Sequence, residues 1–283
     1  MTTEHAAQIA RGDRFEFGRN WADFLKSVDD SRIEAAVASL RSRLGDNRLD
    51  GLTFLDAGSG SGLFSLAARM LGARVHSFDY DPRSVACTEE LKRRFLPGDD
   101  GWNIELGSVL DRAYVDSLGP FDITYSWGVL HHTGSMWEAL DNVCRTVAPG
   151  GRLFIALYND QGGQSGRWLM LKKFYNQVGP QFQRLIVLEL FLFFHLRSAA
   201  ISVVRRQNPL VELDWRRPAP ERGMSQWYDL VDWVGGFPFE VAKPDQVFEF
   251  CVSRGLELRY LSTAGGGPGN NQFVFQRVRG PAC

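Results

Sequence analysis

Residues Leu52–Asp79 read LTFLDAGSGSGLFSLAARMLGARVHSFD, and this stretch decides the architecture of the chain. Leu52–Ala57 is an apolar, strand-like run, Leu63–Leu71 has helical spacing, and Ala73–Asp79 is a second β-branched and aromatic run. Between the first run and the helix lies Gly58-Ser59-Gly60-Ser61-Gly62. Glycines at such a turn let the backbone approach a ligand closely, and the helix N-terminus that follows presents free N–H groups. Asp56 stands two residues before Gly58, and Asp79 closes the second strand 21 residues after it. A carboxylate there can accept hydrogen bonds from both hydroxyls of a ribose. Asp81, directly before Pro82, is the better helix cap, which leaves Asp79 for the ribose. The G-x-G-x-G spacing departs from the G-x-G-x-x-G of dinucleotide binders, so a nicotinamide or flavin enzyme is the lesser reading.

The same rhythm continues outward. Trp102–Gly107, Phe121–Ser126 and Arg152–Tyr158 read as strands, with helical segments near Tyr114–Leu118 and Met136–Val147. Strand–helix alternation at this spacing implies right-handed βαβ units and a mainly parallel sheet covered on both faces. The rhythm breaks over residues 160–240, where helices are expected at Trp168–Val178 and Gln181–Val204, followed by a Pro/Arg-rich link, Arg216–Arg222. It resumes with a helix, Pro244–Arg254, a strand, Leu256–Thr263, a glycine-rich loop, Ala264–Gly269, and a last strand, Gln272–Val278. The loop implies an antiparallel hairpin. The expected fold is α/β: a Rossmann-like, mainly parallel seven-stranded sheet with a C-terminal antiparallel hairpin and a helical insertion or lid. The division that follows is a helical N-terminal extension (1–48), a core (49–159 and 241–283) and an aromatic, helical substrate-side insertion (160–240).

Composition narrows the function classes. The chain has 283 residues, with 32 Lys+Arg against 33 Asp+Glu and 44 % hydrophobic residues, which is ordinary for a globular protein. There is no strong nucleic-acid signal, since counterion release usually needs a clear basic excess. Cys87, Cys144, Cys251 and Cys283 are scattered, without the spacing of a zinc site or a disulfide framework, so no metal is expected. Reduced thiols and an N-terminus without an apolar signal region point to a cytoplasmic location. Glu189, His195 and Arg197 interrupt the apolar stretch Leu185–Val204 and weigh against a membrane span. A lid helix, a homodimer seam and an interfacial anchor over 185–204 remain open for it.

On these residues the chain resembles the class I S-adenosylmethionine-dependent methyltransferases. LDAGSGSG (Leu55–Gly62) is similar to the family's first motif, FDYDP (Phe78–Pro82) to its second, and ELGSVLD (Glu105–Asp111) to the adenine-contacting segment. FDITYSWGVLHHTG (Phe121–Gly134) and APGGRLFIALYN (Ala148–Asn159) resemble the fourth- and fifth-strand segments. The resemblance implies S-adenosyl-L-methionine as cofactor, with S-adenosyl-L-homocysteine as product. It implies that Asp56, Gly58, Ser59 and Gly60 hold the methionine end, Asp79 with Tyr80 the ribose, and Ser108 with Val109 the adenine. Ser108 stands where the family often has Asp, so the backbone carries that contact. Trp127 would lie near the sulfonium.

Chemistry in an open parallel sheet sits beyond the carboxyl ends of the strands. His131 and His132 follow the fourth strand, either as a catalytic base, with His132 preferred, or as a brace for the next helix. Tyr158 and Asn159, after the fifth, are candidates for catalysis or packing, and Asp160 for orienting an acceptor. Acceptor choice is expected in the insertion, where Trp227-Tyr228-Asp229 and Asp232-Trp233 interleave aromatic faces with acids. Asn270 and Asn271, in the hairpin loop, could hydrogen-bond a polar substrate. The expected activity is methyl transfer to an O or N atom of a small molecule. A protein or tRNA methyltransferase and a non-methylating cofactor-binding member are the alternatives.

Overall fold

The computed structural model describes residues 3–208 and 226–279. Three helices come first: α1 (Thr3–Ala10), α2 (Phe17–Leu25) and α3 (Asp30–Leu44). The Asp29 side chain accepts from the Arg32 amide to cap α3, and Gly45, at φ +76°, ends it. The alternating core follows: β1 (Thr53–Ala57), α4 (Leu63–Met70), β2 (Arg74–Asp79), α5 (Pro82–Phe95), β3 (Trp102–Leu106), α6 (Arg112–Ser117) and β4 (Phe121–Trp127). A single 3-10 turn, Leu130–His132, leads to α7 (Met136–Arg145) and β5 (Val147–Tyr158). Then come α8 (Gly163–Gln177), α9 (Pro180–Val204), α10 (Gln226–Gly235), α11 (Pro244–Val252), β6 (Leu256–Ser262) and β7 (Asn270–Arg277).

The seven strands run in the order β3-β2-β1-β4-β5-β7-β6. β1 to β5 are mutually parallel, and β7 runs antiparallel to both β5 and β6. This is the mainly parallel sheet with a C-terminal hairpin that the strand spacing implied. Period-two alternation divides the core between two faces. Phe54, Ile123, Tyr125 and Phe154 pack with residues of α3 and α4, whereas Leu55, Ile155, Leu157 and Phe273 pack with α7 and α11. The strand order reverses between β1 and β4, and in such sheets the crevice at the carboxyl ends of those two strands is where ligands bind.

One departure from the sequence expectations has a local cause. β7 begins at Asn270 instead of Gln272, because Asn270 and Asn271 pair with Tyr158 and Leu157 of β5. α9 runs unbroken through Glu189, His195 and Arg197 for 25 residues. Its backbone ladder is indifferent to side-chain polarity, it has no internal proline or glycine, and the His195 ring is held at 2.8 Å by the Phe191 carbonyl. By length and composition it is the one helix among the described residues long and apolar enough to cross a membrane. The Arg216–Arg222 link lies outside the described residues.

Candidate active site

A cavity of about 760 Å³ opens at the carboxyl ends of β1, β2, β4 and β5. That volume lies within the range of roughly 300–1,000 Å³ typical of small-molecule sites. The glycine turn forms its floor. Gly58 has φ +93°, and a Cβ there would come within 2.4 Å of a Val129 methyl. The Gly60 amide donates to Asp79 Oδ2 at 2.9 Å, and the Asp81 amide donates to Asp79 Oδ1 at 2.9 Å. Asp81 itself accepts from the Arg83 amide at the start of α5 and from Gly18 of α2, each at 2.9 Å. Asp81 is thus the cap, and the Asp79 carboxylate faces the cavity, locked to the turn. Ser59 is fixed through its hydroxyl, 3.0 Å from that of Thr88.

Asp56 is 2 % exposed and accepts from the Ser65 hydroxyl. Burial, followed by the charge of Asp79, pushes Asp56 up to about 7; burial likewise pushes Asp79 up to about 6. Two carboxylates held this close to neutrality make the cavity favour a cationic ligand, which restores their charge. Cation binding is therefore expected to release protons. Affinity should be highest above pH 7 and fall as pH drops through the two pKa values, by on the order of a hundredfold near pH 5.5. Titration calorimetry in buffers of different ionisation enthalpy reads this directly, and a flat affinity over that range would contradict it.

The walls come from every part of the chain. Tyr80 is met edge-on by the His5 ring at 5.2 Å and by the Arg14 guanidinium 5.1 Å from its centroid. After β3, the Ser108 hydroxyl accepts from the Leu110 amide at 3.2 Å, and the Val109 carbonyl accepts from Asn142 at 2.9 Å. Both residues line the cavity, as does Trp127 at the end of β4. His5, Arg14, Phe15, Phe17 and Trp21 line it too, so the N-terminal helices contribute to the site itself. Sequence reasoning gives this segment only as a helical extension. The aromatic cluster at 15–21 is its sole signal, and nothing local says which surface such a cluster covers.

The two histidines take different tautomers. His131 is fully buried and stacks on Tyr158 at 3.8 Å. Its Nδ1 accepts from the Tyr158 amide at 3.2 Å, which leaves its proton on Nε2. His132 Nδ1 donates to the Pro238 carbonyl at 2.7 Å, so its lone pair is on Nε2. Burial, then the charge of Lys172, pushes His132 down to about 3, and burial holds His131 well below its ordinary value. Both rings are neutral at physiological pH. Lys172, which carries no sequence signal, is fully buried on α8. It donates to the Trp233 carbonyl amid Tyr158, Trp233 and Phe239, and burial pushes it down to about 7.

Several candidates are engaged elsewhere. Asn159 donates to the Gly265 and Gly267 carbonyls at 3.0 and 3.1 Å and accepts from Asn271 at 3.0 Å, and Asn271 also accepts from the Ala264 amide at 3.0 Å. Their amides therefore clamp the glycine-rich loop beside the cavity, and neither residue lines it. Asp160 accepts from the Gly162 amide at 2.8 Å ahead of α8, and Trp227 packs on Phe191 at 5.6 Å. The Asp229 side chain lies outside the described residues. Asn270 does line the cavity, joined by Asp232 and Trp233, which lie further along α10 than Trp227. No cluster of three or more His, Cys, Asp or Glu suited to a metal occurs among the described residues.

A switch-point crevice floored by a glycine turn, with an acid closing β2 and a seven-stranded sheet ending in an antiparallel hairpin, defines a class I S-adenosylmethionine-dependent methyltransferase. A family model described as a methyltransferase domain matches residues 30–232, and the chain belongs to that family. Among curated proteins it is 37 % identical over 109 residues to a ribosomal protein L11 methyltransferase of Methylococcus capsulatus, covering 38 % of this chain and 34 % of that one. It is 29 % identical over 115 residues to a ubiquinone biosynthesis O-methyltransferase of Caulobacter vibrioides, covering 39 % and 42 %. The chain thus spans less than half the length of these relatives. A crystal structure of magnesium protoporphyrin IX methyltransferase from Synechocystis with bound S-adenosylhomocysteine shares the fold, with TM-score 0.51, 14 % identity, and coverage of 87 % and 81 %. S-adenosylmethionine, which carries an ammonium and a sulfonium, matches a cavity whose two buried carboxylates call for positive charge.

Proposed function

We propose that the chain transfers the methyl group of S-adenosylmethionine to an oxygen or nitrogen atom of a small, partly apolar acceptor. The observation that carries this reading is the aromatic wall of the cavity past Trp127. There Phe15, Phe17, Tyr158 and Trp233 line the cavity beside a smaller polar set that includes His132, Asp232 and Asn270. Such a wall suits a compact, amphiphilic molecule better than a folded macromolecule.

The cofactor, when bound, supplies an electrophilic methyl carbon on a positively charged sulfur. In this reading Asp79 holds the ribose hydroxyls, Asp56 and the Gly58–Gly60 backbone orient the methionine end, and Ser108 and Val109 border the adenine. Aligning donor and acceptor in this way supplies several kcal/mol, of the about 7–11 kcal/mol that ideal positioning can reach. An acceptor hydroxyl or amine would present a lone pair to that methyl carbon, and its proton would pass to solvent. His132 Nε2, with Nδ1 anchored to Pro238, accepts a hydrogen bond from that group and directs its lone pair at the methyl carbon. With a pKa near 3 it positions the group more than it keeps the proton.

His132→Gln is expected to lower kcat by about 10- to 30-fold, less than the roughly 100-fold minimum of a full general base, while the cofactor dissociation constant stays within about twofold. Turnover equal to wild type would remove His132 from the mechanism. The reading as a whole is tested by incubating the protein with small phenols, amines and hydroxy acids and following S-adenosylhomocysteine release. Release that requires ribosomal protein or tRNA instead would transfer the proposal to a macromolecular acceptor.

A further inference from the structure

α9 presents an apolar flank that the methyltransferase core does not need. Phe182, Leu185, Leu192, Phe193, Leu196 and Val204 all point outward, with Leu185, Leu192 and Leu196 at 59 %, 50 % and 62 % exposure. The opposite flank is anchored: Val187 is buried with Tyr175 and Val234, and Ile186 and Leu190 pack on the same cluster. The helix is thus tied through residues 186–194 to α8 and α10, which fits lying on a surface and not threading through one.

The charge distribution indicates which surface. Residues 163–208 contain seven Lys/Arg and a single acid, Glu189, whereas the rest of the chain contains 25 Lys/Arg and 32 Asp/Glu. Six of the seven (Arg167, Lys173, Arg184, Arg197, Arg205 and Arg206) are exposed, and none is in a salt bridge among the described residues. Long apolar face and clustered cations together are the physical signature of a helix at an anionic bilayer interface. There the apolar side chains sink about 5–10 Å below the headgroups, and arginine stems reach back to the phosphates. A two-fold pairing of this face with a second copy would bring the two sets of cations together.

We infer that α9 docks the protein on an anionic lipid surface. The docked face lies one helix layer from the cavity: Phe194 of α9 meets Trp233, which lines it, at 6.5 Å between ring centroids. The bilayer is thereby placed beside the acceptor side of the site.

Vesicle flotation of the full chain tests this. Vesicles of phosphatidylcholine with phosphatidylglycerol should bind the protein at least about tenfold more tightly than phosphatidylcholine alone, given roughly 1 kcal/mol per basic residue at an anionic surface. Combining Leu185→Glu, Leu192→Glu and Leu196→Glu should weaken that binding at least about tenfold, with cofactor affinity unchanged as the control for folding. Arg205→Gln with Arg206→Gln should weaken binding to the anionic vesicles about 30-fold and leave the weak phosphatidylcholine binding as it was. The inference is overturned by absence of flotation, by equal binding of both vesicle types, or by variants that bind like wild type. A lipid-free dimer that the leucine variant dissociates would overturn it as well.

Discussion

Asp79→Asn is expected to weaken S-adenosylmethionine binding by at least about 100-fold, the equivalent of two charge-assisted hydrogen bonds at roughly 1.5–3 kcal/mol each. The carboxylate sits at the end of β2, pinned from behind by the amides of Gly60 and Asp81 at 2.9 Å each. An asparagine keeps the volume but removes the charge. It also turns an NH₂ toward one of those two donors, so one backbone N–H loses its partner. Asp81→Ala separates this effect from general damage. That residue caps α5 and ties down Gly18, so its loss should cost about 1 kcal/mol of stability with a much smaller change in affinity. Calorimetric titration of both variants, with thermal unfolding alongside, checks the pair. Equal losses of affinity would mean that Asp79 acts only by shaping the loop.

Gly58→Ala should be nearly as damaging, for a different reason. At φ +93° an L side chain is strained, by about 1–3 kcal/mol. Its Cβ would also lie 2.4 and 2.6 Å from the two methyls of Val129, and such overpacking typically costs a further ~1–3 kcal/mol. Val129 joins the end of β4 to the turn bearing both histidines, so relief of the clash displaces the wall opposite the glycine floor. The expected result is a loss of about 3 kcal/mol in stability and of most cofactor affinity. Adding Val129→Ala removes the two methyl clashes and leaves the backbone strain and a 3.0 Å contact with the remaining Cβ. The double variant should therefore recover about half of the lost stability. No recovery would place the whole effect in the backbone.

The generic half of the molecule is legible because local rules and tertiary structure agree there. β1, the glycine turn, α4 and β2 fall within a residue or so of the boundaries read from periodicity, and Pro82 begins α5. The cap role of Asp81 can be read from the proline that follows it, and it is present in the hydrogen bonds. What is not legible depends on contacts distant in sequence. Asn159 and Asn271 look like loop residues at the mouth of the sheet, but they bond to each other across 112 positions and to the loop between them. Location in the sequence suggests amides facing a substrate, whereas the register of β7 on β5 decides where they point. Lys172 looks like any helical lysine, and only the approach of α8, α10 and the 237–240 segment encloses it. The N-terminal aromatics announce burial but not its address.

The most direct test of the function uses S-adenosylmethionine labelled on its methyl group, incubated with the protein and the low-molecular-weight fraction of a cell extract. A small-molecule methyltransferase should form S-adenosylhomocysteine and leave the label in a small product, with Asp79→Asn lowering the yield about 100-fold or more at subsaturating cofactor. Cofactor binding with no label leaving the sulfur, or label found only in protein or RNA once those are supplied, would contradict it.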